Sequence, residues 1–392
     1  MNKIILFLIF AFIANINLKS QTWQQASGIA SNELIYDLVS CNNYVFAATL
    51  SGIYRSDDYG ITFEPKNNGI TNTSGLGAHA FSVSGNNIYV ANIYGIFVTE
   101  DFGENWVDLN LPDHSYSLSV FVDDNIILAG VPGGGLYRST DNGLNWDGVT
   151  ADHIYKIAKV DNYYFAGSWG DVVYSDDYGV NWQSTNSNKF TFWTFSMNDT
   201  IFACPTDGGI EKTSPDIINW QTIAGISANV TGVSIKNDTI FAVSTDKVLY
   251  SKYDEMDNTW NEITTNGLPV LGTNSLSSST IQNNNLIVGT WGSDGETALG
   301  VWYIDMNEIF TSINDFEDKN GIRIYPNPAN NLLYLNGFVV NSKISIYDLN
   351  GKMLINDKII KNQIDISYLQ SGVYTMKIET ANEIVTKKFV KQ

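Results

Sequence analysis

The stretch YRSDDYGITF, residues 54–63, returns in altered form as FVTEDFGENW (97–106), YRSTDNGLNW (137–146) and YSDDYGVNW (174–182). Each copy carries a hydroxyl residue, an Asp two positions on, a Gly two positions further, and an aromatic three after that. The pattern suits a tight bend. Ser, Thr and Asp side chains bond to backbone groups across a turn, Gly supplies a positive φ without steric cost, and the aromatic ring buries between neighbouring layers. The alternative, a reiterated catalytic or cation site, uses the same residues, but the turn explains every position.

Aligning on the closing aromatic gives Phe63, Trp106, Trp146, Trp182, Trp220 and Trp260, with steps of 43, 40, 36, 38 and 40 residues. Between them run short apolar segments separated by Gly/Asn/Asp turns, which predicts four strands per unit. Periods near 40 with four strands indicate β-propeller blades. After Trp260, LIVGTWGSDGETALGVWYID (286–305) is expected to supply inner and middle strands without a box or a final strand. Trp23 lies 40 residues before Phe63, so an N-terminal strand is expected to complete the last blade and remove the exposed edge. The count is then seven blades; six or eight would follow if a weak unit is misread.

The repeat resembles the Asp-box, or bacterial-neuraminidase repeat, S/T-x-D-x-G-x-x-W/F. Four copies match: Ser56-Asp58-Gly60-Phe63, Thr99-Asp101-Gly103-Trp106, Ser139-Asp141-Gly143-Trp146 and Ser175-Asp177-Gly179-Trp182. SPDIINW lacks the Gly, and SKYDEMDNTW is longer than the pattern. The resemblance implies a box on the hairpin between third and fourth strands, at the outer edge of the ring and away from the ligand-binding face.

From Gly321 a second pattern begins, with short alternating strands and Asn-Pro, Asn-Gly and Ser-Gly turns, which reads as a small sandwich. It resembles the type A C-terminal sorting domain of the Bacteroidetes type IX secretion system. The residues that carry the likeness are Tyr325-Pro326-Asn327-Pro328-Ala329, Tyr347-Asp348-Leu349-Asn350-Gly351, Leu369 with Ser371-Gly372-Val373-Tyr374, and Lys387-Lys388-Phe389-Val390-Lys391. The resemblance implies partners in the type IX machinery and a surface sortase, export across the outer membrane, and removal of the tail. The alternative is an immunoglobulin-like adhesive module without a sorting role. The expected organisation is a signal peptide over 1–20, a propeller over 21–305, a polar linker over 306–320 and the tail over 321–392. MNKIILFLIFAFIANINLKSQ has a lysine followed by the apolar run Ile4–Ile13, too short for a membrane anchor. No transmembrane segment is expected in the mature chain.

Residues 21–320 carry 11 Lys+Arg against 36 Asp+Glu, a balance of −25, while 321–392 carry 9 against 5, a balance of +4. An acidic body of this kind is repelled by phosphate backbones, which excludes nucleic acid as a partner. Cys41 and Cys204 fall in distant units and are expected to stay unpaired.

Chemistry in the body is sparse. Clamping a sialic carboxylate takes three arginines; Arg55 and Arg138 precede boxes on outer strands and Arg323 lies in the tail. A two-carboxylate glycosidase site has loop candidates in Asp207, Asp246, Asp294 and Glu296. His79, His114 and His153 lie at similar positions in successive units and read as solvated loop residues, with a metal rim as the alternative. No cofactor motif is present. The more specific hint is aromatic: Gly167-Ser168-Trp169-Gly170 and Gly289-Thr290-Trp291-Gly292 follow second strands three blades apart, and Tyr94 holds the corresponding loop in the second unit. Aromatic faces beside acids suit stacking on sugar rings, which makes Tyr94, Trp169 and Trp291 with Asp207 and Asp294 candidate ligand contacts. The competing reading packs both tryptophans into the channel mouth. The expected function is non-catalytic binding of a polysaccharide or a surface protein; the alternatives are a glycoside hydrolase and a structural surface protein.

Overall fold

The computed structural model describes residues 22–309, apart from 71–75, 113–115, 134, 151–152, 215–216, 270–273 and 293–298, together with the stretches 323–325, 329, 331–336, 343–348, 352–358, 363–379 and 384–391. The signal-peptide reading, most of the linker, His114, Asp294, Glu296, Pro326, Asn327, Pro328 and Gly351 lie outside the described residues. The chain divides into two compact units, Met1–Thr311 and Ser312–Gln392.

Among the described residues the first unit holds seven antiparallel four-stranded sheets. Their first strands are Ile35–Cys41, Ala78–Ser84, Ser119–Asp123, Ile154–Val160, Thr191–Met197, Val230–Lys236 and Asn274–Gln282. Residues of all seven strands line one central passage. The second strands, such as Tyr44–Thr49 (YVFAAT) and Thr239–Ser244 (TIFAVS), are buried from their second residue onward. They read as unbroken apolar runs because both faces of each sheet are covered by a neighbour. Near the axis the sheets converge, and the sequence answers with Gly. A Cβ at Gly130 or Gly167 would lie 2.3 Å from the Ile154 carbonyl oxygen or 2.4 Å from that of Thr191, each on the following sheet.

The box forms the hairpin from third to fourth strand. In the first copy the Ser56 hydroxyl donates to Asp58 Oδ1 (2.8 Å) and accepts from Gly60 N (2.9 Å), while Asp58 accepts from the Thr62 N–H and hydroxyl (2.8 Å each). Thr99–Asp101, Ser139–Asp141 and Ser175–Asp177 repeat the arrangement, with Asn105, Asn145 and Asn181 in the place of Thr62. Two successive residues take positive φ, the second being the Gly: Tyr59–Gly60, Phe102–Gly103, Asn142–Gly143 and Tyr178–Gly179. Each Gly also abuts the preceding sheet, where a Cβ on Gly60 would lie 2.5 Å from Ile287 and one on Gly103 3.0 Å from Phe46. The carbonyl just before the Gly is held from that same side, by Asn285 on Tyr59, Arg55 on Phe102 and Arg138 on Tyr178.

The seventh sheet begins earlier than the run from 286 suggests. Asn274–Gln282, Asn285–Gly292 and Val301–Asp305 are its first three strands, and Gln24–Gln25 is its fourth, pairing Gln24 with Tyr303 and Gln25 with Trp302. Trp23, 2% exposed, docks against the sixth sheet through its indole N–H on the Thr264 carbonyl (2.7 Å) and its backbone N–H on that of Asn266 (2.9 Å). Trp106 makes the same pair of contacts one sheet back, to Lys66 and Asn68. The short helix Met306–Ile309 then packs Met306 into the core under the seventh sheet. Cys41 and Cys204 are both buried free thiols.

The second unit has a three-stranded and a four-stranded antiparallel sheet. They share a core that includes Leu333, Leu335, Ile344, Ile346, Met376 and Phe389. Gly372 opens the strand Gly372–Glu379, and Lys387 and Lys388 lie on the edge strand Ile384–Lys391 that pairs with it.

Removing the Trp23 ring deletes the packing that holds the closing strand. Trp23→Ala is expected to lower unfolding free energy by about 3–5 kcal/mol in urea titration and to expose the N-terminal strand to limited proteolysis.

Candidate functional site

The two ends of the passage differ. At one end each sheet turns from first to second strand through Asn, Asp or Gly in positive φ, as at Asn42, Gly85, Asp124, Asp161, Asn198, Asn237 and Asn283, the tight-hairpin chemistry of primed turns. The other end gathers the starts of the first strands and the hairpins that follow the second strands, and it is aromatic. His79 sits between Tyr36 (centroids 4.7 Å apart) and Tyr116 (5.1 Å). A second arc runs from His153 to Trp169 (5.7 Å), Phe190 (5.2 Å, stacked), Phe192 (4.4 Å) and Tyr155 (4.7 Å). Trp169 is 69% exposed, Trp291 47% and Phe192 45%, a concentration of open aromatic surface that soluble proteins reserve for contacts.

Below this mouth lies a cavity of about 430 Å³ lined by Tyr36, His79, Tyr155, Phe192, Trp193 and Trp291, among others. Its floor is an ion pair across the ring. Asp37 of the first sheet, 3% exposed, accepts from Leu38 N (3.0 Å), Ser278 Oγ (3.0 Å), Phe81 N (2.9 Å) and the Lys156 ammonium of the fourth sheet (3.1 Å). Lys156 also lies 4.6 Å from the Trp193 ring centroid, a cation–π contact. Asp37, Lys156 and Trp193 likewise border a second cavity of about 570 Å³ beneath, so this strut partitions the passage. On the lining of the lower chamber Lys159 bonds Asp123 (2.7 Å), which also accepts from the Tyr164 hydroxyl in the core behind it.

The residues singled out from sequence are distributed unevenly. Trp291 lines the upper cavity, at the end of a strand instead of in a loop; Trp169 stands outside its lining, stacked on Phe190. Tyr94 packs half-buried on the core between the first two sheets. Asp207 is exposed, 3.6 Å from Lys189, and Asp246 accepts from Ser244 in a hairpin. His153 accepts from Gly133 N on a loop, as expected. His79, by contrast, is a strand residue half-buried between tyrosines, where burial pushes its pKa down to about 4. Among the described residues no cluster of His, Cys, Asp and Glu has metal-binding geometry. Asp37 and Lys156 carried no local sequence signal. A search for charged residues at the start of first strands, where the passage must be lined, would have found them.

Comparison with known proteins agrees with this architecture. Residues 323–392 match the family described as secretion system C-terminal sorting domain, 193–320 the DUF6242 beta propeller domain, and 53–65 the BNR-Asp box repeat. No curated protein matches the chain. Among solved structures, YCF48 from Cyanidioschyzon merolae is 15% identical with a TM-score of 0.53 over 72% of this chain and 98% of its own. PorZ, a surface component of the type-IX secretion system of Porphyromonas gingivalis, is 11% identical with a TM-score of 0.56 over 93% and 60%. The extracellular domain of a hybrid two component system from B. thetaiotaomicron is 12% identical with a TM-score of 0.57 over 93% and 52%. This chain thus spans little more than half of the last two, and the likenesses show fold alone. The chain carries Asp-box repeats in a propeller-like body and a type IX C-terminal sorting domain. The tail points to a secreted or cell-surface protein, and no described helix is long and apolar enough to cross a membrane.

His79 has a folded pKa near 4 against an unfolded value of about 6.5, so its contribution is present above about pH 6.5 and lost as pH falls toward 4. Urea midpoints of the parent and His79→Phe, measured across that window, should therefore diverge, the parent losing more. Lys156→Met leaves the Asp37 carboxylate buried without its cation and should cost about 1–3 kcal/mol. Adding Asp37→Asn should recover part of that loss in the same denaturation assay.

Proposed function

We propose that this chain is a seven-bladed Asp-box propeller with an immunoglobulin-like sorting sandwich, exported by the type IX machinery to bind a cell-surface macromolecule, polysaccharide or protein, without catalysis. Residues 1–20 act as signal peptide. A surface sortase removes the tail within the polar stretch that follows Ile309, leaving the body released or attached to surface lipopolysaccharide. Seven sheets around one passage, with Gln24–Gln25 completing the last, support the blade count.

The observation that carries the binding reading is the aromatic mouth, with Trp169, Phe192 and Trp291 open to solvent above the Asp37–Lys156 strut. The strut also weighs against hydrolysis in the cavity. Both oxygens of Asp37, the carboxylate in its lining, are already held by four donors, which occupies its lone pairs and leaves none aimed at a substrate proton. Arg55 and Arg138 clamp box carbonyls at the outer edge, a placement that supports the reading against a sialidase.

The test is affinity electrophoresis of the chain against plant, algal and bacterial polysaccharides, with released sugar assayed in the same tubes, alongside pull-down of isolated outer-surface proteins. Retention by either class without sugar release, reduced at least about tenfold in Trp169→Ala/Trp291→Ala, is expected. Released oligosaccharide would replace binding with hydrolysis; retention that ignores both tryptophans would move the site away from the mouth.

A further inference from the structure

The upper cavity has two chemically distinct walls. On the first, second, fourth and fifth sheets it presents Tyr36, His79, Tyr155 and Phe192; on the sixth and seventh it presents Asn229, Thr245 and Ser275 beside Trp291. Several of the deeper polar groups already have protein partners, while the buried Ser277 Oγ in the lining has none. Ser119 Oγ donates to the Ile154 carbonyl (2.8 Å), Thr231 Oγ1 to that of Leu276 (2.7 Å), and Asp37 and Lys156 hold each other. His79, in its aromatic sandwich, is neutral at physiological pH.

These features discriminate between ligands. A pyranose carries hydroxyls around its whole rim, more than the few open polar groups of this lining can meet, and each hydroxyl buried unpaired is costly. A phenyl, phenol or indole ring has apolar faces that match Tyr155, Phe192 and Trp291 and loses little on burial. An extended backbone beside such a ring offers alternating N–H and C=O groups, the complement of an amide and two hydroxyls on one wall. At about 430 Å³ the cavity is at the small end of ligand pockets, the scale of one aromatic residue with its flanking backbone. The surrounding body has a balance of −25 over residues 21–320, which attracts a basic segment and repels an acidic one.

We propose that the cavity receives an aromatic side chain from a polypeptide partner whose neighbouring residues are basic, the ring against Tyr155, Phe192 and Trp291 and the backbone along Asn229, Thr245 and Ser275. The inference rests on the binding reading above and narrows its ligand from surface macromolecules in general to protein.

The test uses fluorine NMR of the full chain with two capped tripeptides, Lys–(4-fluoro-Phe)–Lys and Glu–(4-fluoro-Phe)–Glu, and saturation-transfer NMR with cellohexaose. The lysine peptide's fluorine resonance is expected to shift and broaden, with affinity at least about fivefold weaker in Trp291→Ala and in Phe192→Ala and unchanged in Leu144→Ala, an exposed residue of an outer box. Both cavity residues tested are partly open to solvent, so the variants should fold, which their melting curves verify. The proposal is overturned if neither peptide binds, if both bind equally, or if binding survives in both cavity variants. Cellohexaose transfer that disappears in Trp291→Ala, with silent peptides, would overturn this inference while leaving the binding reading intact.

Discussion

The first four sheets are joined through one small network, the hydroxyl–carboxylate–amide clasp of the box. Ser56 both donates to Asp58 and accepts from Gly60 N, while Asp58 gathers the backbone and side chain of Thr62. A single bond of this kind is worth about 1 kcal/mol net, but the clasp fixes two consecutive left-handed residues, and only then does the Gly reach the sheet before it. The same turn therefore ends one hairpin and docks one sheet on another. Bonds from Asn285, Arg55 and Arg138 to the carbonyl before the Gly complete the joint. A local turn thereby becomes the unit of a global ring.

The outer edge and the axis are built on different terms. The edge is made by repetition, and its contacts recur from sheet to sheet. The axis is made by residues that occur once. Asp37 and Lys156 belong to the first and fourth sheets and meet only because the ring brings opposite walls within reach of one ammonium. Two arcs of aromatics above them come from different sheets, and their first strands share only the opening Ile35–Tyr36 and Ile154–Tyr155. The repeats thus supply a frame, and its irregular centre supplies chemistry.

This division explains what could be read from sequence. The four complete boxes, the 40-residue period and the role of Trp23 were legible because each is a short-range pattern with a mechanical reason. The partner of the box Asp, Thr62 or Asn105, Asn145 and Asn181, was visible but unremarked. So was a second joint after the fourth strand, where Gly28, Gly69 and Gly267 in positive φ lie against the backbone of Phe63, Trp106 and Trp23. The site was less legible. Trp291 was found by its motif, yet the stacking environment of Trp169 depends on Phe190, which sits just before a neighbouring first strand. His79 was misread as a solvated loop residue, because its position in sequence says nothing of the two tyrosines on either side. The cross-ring pair had no local signature, since its members are 119 residues apart.

The closure at Gln24–Gln25 also dictates an order of events. Its partners, Tyr303 and Trp302, are the most distant in sequence of any pairing in the ring, so the ring is the last thing the chain can complete. Six sheets have only local, hairpin-type connections and can form as the chain lengthens, whereas the seventh must wait for nearly three hundred residues to be laid down and then pays the entropy of closing that loop. Until then the first and last sheets each present a bare face. The final, cooperative lock is thereby postponed until the whole body is present in one place.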